Sequence, residues 1–371
     1  MSKAIVSVIN DLVTDQRVDR TCNTLVSLGY EVLLVGRRKH NSYALPQKKY
    51  KMFRFRMIFE KGFQFYAFFN LRLFFYLLFK KTSLLVANDL DTLLPNYLVS
   101  KFKKIPLVYD SHEYFTGVPE LTERPFVQKT WKRIEKSIFP NLHDIITVND
   151  SIAGLYKSEY GKDLTVVRNI PETRTVSKIK TRKELGLPEN NRLVILQGSG
   201  INIQRGAEEA AEAMEYVNNA CLLIVGGGDV IPVLKNLVER KALQEKVLFI
   251  PKQSPENLFH YTANADLGLT LDKDTNINYR FSLPNKLFDY IHAQIPILAS
   301  PLAEVKKIIE GYDIGGCIDN HDPQHIASKI QFMLDDEQAY GNWKKNLKLA
   351  VEKLNWTQEQ KKLTAIFQKY A

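Results

Sequence analysis

The sequence predicts an α/β protein made of two doubly wound, parallel-sheet domains. Three observations point there. The chain has 371 residues, more than one ordinary core organises. Short, β-branched, nearly continuous apolar runs recur along it, as in strands buried on both faces, with amphipathic stretches between them. A polar segment at 169–183, with Pro171 and many charges, separates two halves of similar pattern.

In the first half, strands are expected at 4–9, 31–35, 83–87, 106–109, 144–148 and 164–167, with helices at 18–28 and 131–138 among them. In the second half the runs lie at 193–196, 221–225, 247–250, 265–269 and 295–299. Alternation of this kind builds parallel sheets. The expected domains are 1–170 and 171–355, with 356–371 a helix that packs back on the first. Open α/β sheets bind ligands outside the carboxyl ends of their strands, so a cleft between the domains is the expected site.

Apolar residues make up 45% of the chain and charged residues 25%, the balance of a soluble globular protein. Cys22, Cys221 and Cys317 are far apart and odd in number, which argues for a reducing compartment and against a disulfide framework or a zinc site. The opening MSKAIVSVIN reads as a strand and not as a leader, so the expected location is cytoplasmic. The net charge is +10, and all the excess sits in the first half. Residues 1–170 hold 26 basic against 16 acidic side chains, and the remainder holds 25 of each. Between 37 and 81 there are twelve basic side chains and one acid, Glu60. Such a field points to an anionic partner: a membrane surface, nucleic acid or a phosphorylated substrate.

The basic region contains the apolar run FQFYAFFNLRLFFYLLF at 63–79. It is short for a membrane span and carries Asn70 and Arg72 in its middle. Its aromatics, Phe68 among them, are flanked by Arg54, Arg56, Lys80 and Lys81, the composition of an interfacial helix on anionic lipid. The competing reading is a helix buried against the sheet. No nucleic-acid motif accompanies the charge, so nucleic acid is not the expected partner.

Three segments carry candidate chemistry. In YRFSLPNKLFDYIHAQIPILAS, at 279–300, Ser282 is expected to cap a helix with Pro284 in its first turn. Its free N–H groups would favour an anion. Lys286 and Asp289, three apart, would share a helix face and offer a cation to phosphate and a carboxylate to ribose. In LVILQGSGINIQRGAEEAAEA, at 193–213, a strand ends in a loop with Gly198 and Gly200, and Arg205–Gly206 opens a helix. Glycine allows close backbone approach to a ligand, and arginine can fork onto phosphate oxygens. In YDSHE, at 109–113, His112 lies past a strand end, placed to donate a hydrogen bond or carry a proton. Asp89 and Asp91 lack a third ligand, and no metal site is expected.

Together these segments resemble glycosyltransferase family 4, whose members have the GT-B fold of two Rossmann-like domains. Residues 15–18 and 25–32 resemble its first helix and second strand, and 108–113 its cleft histidine segment. Arg205–Gly206 resembles its phosphate motif, 222–228 its L-x-I-V-G-x-G turn, and 282–300 its most specific block. Phe249 to Gln253 fall where the family's backbone meets the nucleobase. The family usually has two glutamates eight positions apart; Phe281 stands for the first and Asp289 for the second, while Gly200 replaces the first basic residue of its phosphate pair.

The resemblance implies retaining transfer from a UDP- or GDP-sugar, without cofactor or metal, to a lipid-linked or glycan acceptor in surface polysaccharide synthesis at the inner face of the cell membrane. It implies His112, Arg205 and Lys286 as catalytic. It implies Gly200, Pro251, Lys252, Ser282, Leu283, Asn285, Asp289 and Arg17 as donor-binding. Arg54, Arg56, Phe68, Arg72, Lys80 and Lys81 would face membrane or acceptor. The alternatives are a nucleotide-sugar epimerase on the same fold and a non-catalytic homologue binding lipid or a partner.

Overall fold

A computed structural model describes residues 2–173 and 178–371. Part of the expected linker, 174–177, lies outside the described residues. The chain divides into two compact units, Met1–Asn169 with Thr357–Ala371, and Ile170–Trp356.

The first unit holds a seven-stranded sheet of β1 (Lys3–Ser7), β2 (Glu31–Arg38), β3 (Lys51–Arg56), β4 (Leu84–Asn88), β5 (Leu107–Ser111), β6 (Asp144–Thr147) and β7 (Thr165–Val166). Its order is β3-β2-β1-β4-β5-β6-β7, with every pairing parallel. β4 and β5 are buried at every residue, because helices cover both faces of a parallel sheet. The helix Trp356–Phe367 belongs to this unit by its bonds: Glu359 accepts from the Arg168 N–H at 2.9 Å, and the Phe367 carbonyl accepts from Tyr30 at 3.2 Å.

The second unit repeats the plan with six parallel strands. They are β8 (Arg192–Gly198), β9 (Ala220–Gly226), β10 (Val247–Ile250), β11 (Leu267–Thr270), β12 (Ile297–Ala299) and β13 (Gly315–Cys317), ordered β10-β9-β8-β11-β12-β13. Side chains alternate along β8 into two cores. Val194 and Leu196 join one, and Leu193 and Ile195 join the other. In both sheets the order reverses beside the first strand, between β1 and β4 and between β8 and β11. These are the switch points where loops diverge and ligands of such sheets bind.

β3 and β13 are the strands that no apolar run in the sequence predicts. The arginines of β3 break up its apolar pattern, and of its six residues Phe55 alone is buried. β3 is an edge strand, and charged side chains there guard an unpaired edge.

Candidate active site

The second unit's switch point gathers a group of three charges, Arg205, Lys286 and Asp272. Arg205 follows β8 in sequence, and Asp272 lies two residues beyond β11. The Asp272 carboxylate is fully buried, with one oxygen 3.1 Å from the Arg205 guanidinium and the other 3.3 Å from Lys286 Nζ. The guanidinium also lies over the Tyr279 ring, 4.3 Å from its centroid. Gly206 makes this possible. Its φ is +71°, and a Cβ there would stand 2.3 Å from the Leu271 carbonyl oxygen, so only glycine lets the arginine loop sit on the end of β11. Lys273 N–H donates to the Gln204 carbonyl at 3.0 Å and closes the same contact.

Asp289 is held by Gln197, the penultimate residue of β8, whose amide donates to it at 3.0 Å. Gln197 is itself fixed by Thr262, which donates to its carbonyl at 2.7 Å. Lys286 and Asp289 both lie on the helix Asn285–His292, and each has its own buried partner, Asp272 for the lysine and Gln197 for the aspartate. The expected cap is corrected. Pro284 occupies the N-cap position in an extended conformation, and the Ser282 hydroxyl is buried without a hydrogen-bond partner. The residue before a proline avoids helical geometry, so Leu283 cannot be helical and the helix begins one residue after Pro284. Leu283 packs against the core. Gly200 and Asn285 are exposed, as are Pro251 and Lys252 just past β10.

In the first unit, His112 follows β5. Its backbone N–H donates to Asp89 at 2.8 Å, and its ring nitrogens lie 3.4 Å from Asp89 and 3.5 Å from Asp110. Burial works against a charged ring, but Asp89 and Asp110 outweigh it and push the imidazole up to about 9. At neutral pH it is a cation and a donor, not a base. Asp89 has φ +59°, a strained region for a residue with a side chain, and that backbone aims its carboxylate at His112.

Arg17 is the clearest correction. It is buried, donates twice to Asp110 at 2.6 and 3.1 Å, and donates to the Val167 carbonyl at 2.7 Å. Its fork is spent inside the first unit and does not serve a phosphate. Asp89 and Asp91 take part in no metal-holding group among the described residues.

The helix Gly62–Phe79 settles between the two readings of its sequence. It is long and apolar enough, by length and composition alone, to cross a membrane. Phe65, Phe69, Leu73 and Leu77, four apart, form a buried stripe, and Asn70 donates to the Asp91 carbonyl at 2.9 Å on the neighbouring helix Leu90–Lys103. The opposite face is apolar and open: Phe63 is 80% exposed, Leu71 55%, Phe75 49% and Phe79 81%. Arg56, Lys80 and Lys81 are exposed beside it. Arg54 is not; it pairs with Asp11 at 2.8 Å and is 10% exposed, which removes it from any lipid contact. Arg72 is half-buried over the Phe55 and Phe68 rings and donates to the Arg56 carbonyl.

Two family models match. Residues 15–172 match Glycosyltransferase Family 4, and residues 177–350 match Glycosyl transferases group 1. The N-acetyl-alpha-D-glucosaminyl L-malate synthase of Bacillus anthracis is 24% identical over 186 residues, 49% of this chain and 47% of that protein. The match thus spans about half the length of that curated relative. Among solved structures, sucrose-phosphate synthase of Thermosynechococcus elongatus superposes with a TM-score of 0.80 at 16% identity, covering 100% of this chain and 99% of the other. HepE of Anabaena, solved in complex with UDP, superposes at 0.74 with 15% identity over the whole of both chains. These likenesses place the two sheets in the GT-B fold.

Proposed function

The chain belongs to the family 4 glycosyltransferases, and from that premise we propose that it moves a sugar from a UDP- or GDP-sugar to a lipid-linked acceptor at the cytoplasmic face of a membrane. Transfer proceeds with retention and without a metal ion. The observation that carries this reading is the Arg205–Lys286 pair, two cations converging at the β8/β11 switch point with their shared acid buried behind them. Negative charge grows on the nucleoside diphosphate as its bond to the sugar breaks, and fixed cations stabilise it there more than in the ground state. Asp289 takes the ribose hydroxyls, and Pro251 and Lys252, exposed just past β10, take the base. The UDP bound to HepE supports uridine as the first base to try.

The test is transfer from labelled UDP- and GDP-sugars in the presence of EDTA. The expected product keeps the donor's anomeric configuration, and chelation leaves the rate unchanged. An inverted product, or activity restored only by manganese or magnesium, overturns the mechanism.

The membrane part rests on the open face of Gly62–Phe79, large aromatics bordered by Arg56, Lys80 and Lys81. Apolar side chains that enter the headgroup boundary beside basic ones bind anionic lipid by both terms. The expected result is co-sedimentation with anionic vesicles that weakens with salt. It falls when Phe75 and Phe79 become serine, and again when Arg56, Lys80 and Lys81 do. Equal binding to neutral vesicles, or none, removes this part.

A further inference from the structure

The acid behind the two cations has no place in the donor-binding reading, and its geometry gives it one. We propose that Asp272 is a positioning residue that pre-sets Arg205 and Lys286 for a diphosphate; the inference rests on the nucleotide-sugar reading of that site. Asp272 is 0% exposed, while the side chains of Arg205 and Lys286 are 28% and 13% exposed. A ligand at this edge therefore meets the cations and not the acid. Each cation gives the carboxylate one contact, 3.1 Å to one oxygen and 3.3 Å to the other, and keeps its remaining donors for a further anion.

The carboxylate is rigidly mounted. Leu271, beside it, is packed against by Gly206, and its carbonyl oxygen lies 3.0 Å from His321 Nε2. Lys273, on the other side, is tied to Gln204 through the backbone and to Glu209 through its ammonium. Two like charges brought together repel, and a long flexible cation left in solvent samples many rotamers. A buried anion hydrogen-bonded to Arg205 and ion-paired with Lys286 offsets the repulsion and restricts that freedom before the ligand arrives, which is what preorganisation requires. One carboxylate against two cations leaves the site net positive for the incoming diphosphate.

The test measures UDP and UMP affinity by calorimetry in Asp272→Asn, which keeps the side-chain size and removes the charge. UDP affinity should fall by about tenfold or more, the scale for losing a group that orients binding residues. UMP, which lacks the β-phosphate, should lose less than threefold by the same reasoning. A general loss of structure would weaken both equally, and that outcome overturns the proposal. Unchanged or tighter UDP binding also overturns it, since Asp272 would then be only a competing anion. Should Asp272→Asn not fold, Asp272→Glu keeps the charge but crowds the cations, and the same UDP-selective loss is expected. Arg205→Ala and Lys286→Ala separate the two levels of argument. If they weaken UDP and the Asp272 variants do not, the inference alone fails; if they leave UDP untouched, the donor-site reading fails with it.

Discussion

Replacing Arg205 or Lys286 with alanine should cut turnover by about 10²-fold or more, the scale for removing one preorganised electrostatic donor from a transition state. Each variant should still fold. Asp272 keeps one cation in either case, at 3.1 Å from Arg205 or 3.3 Å from Lys286. The double variant is different, because it leaves a fully buried carboxylate with neither counter-charge, and an uncompensated buried charge costs about 3–5 kcal/mol. Steady-state kinetics beside thermal melts check both statements. The singles should lose rate with a modest change in melting temperature, and the double should lose stability as well. Near-normal turnover in both singles would remove the leaving-group assignment.

The parts of this site differ in how far the sequence revealed them. Arg205 and Lys286 were legible because each sits in a local pattern, a glycine beside a strand-end loop and a proline before an apolar helix. Asp272 was not. It is 67 residues from Arg205, and in the polar run after 265–269 it looks like any solvated loop acid. Its one signal is position, just past a strand's carboxyl end, which it shares with His112. Gln197 was hidden for another reason: a polar residue closing an apolar strand reads as the strand's end, and its role depends on Thr262 and Asp289, both distant in sequence. Lys286 and Asp289 show the limit of helical spacing. Three-residue separation brings two side chains near each other, but Lys286 goes to a buried acid, which gains more from a counter-charge than a half-exposed one does.

The same contrast separates strand from edge. The strands near 193–196 and 221–225 were visible as unbroken apolar runs because helices cover both faces. β3 was masked by Arg54 and Arg56, whose charges suit an edge. Arg54 further shows that a basic residue in a basic region is not thereby a surface charge, since Asp11 claims it.

Arg17 illustrates this most strongly, and replacing its partner should strongly destabilise the first unit. Asp110→Ala leaves the Arg17 guanidinium buried with the Val167 carbonyl as its remaining partner among the bonds described above. The expected loss is about 3–5 kcal/mol, as for other buried pairs broken from one side. The pair also fixes the pH response. Burial alone would raise the Asp110 carboxyl, but Arg17 and then His112 outweigh it and hold it well below the usual carboxylate range. A depressed acid contributes stability that is present above the unfolded value, about pH 4, and is lost as pH falls through the folded value. His112 has the opposite sign. Raised to about 9, it contributes fully below its ordinary value of 6.5 and loses that contribution as pH rises through about 9. Wild-type stability should therefore decline on both flanks. Asp110→Asn should flatten the acid limb below about pH 4 and reduce the slope between 6.5 and 9, because His112 then keeps only Asp89 as its anion. Urea unfolding across that pH range measures both slopes. A variant as stable as the wild type, with the same two limbs, would show that the Arg17–Asp110–His112 group does not carry the stability assigned to it.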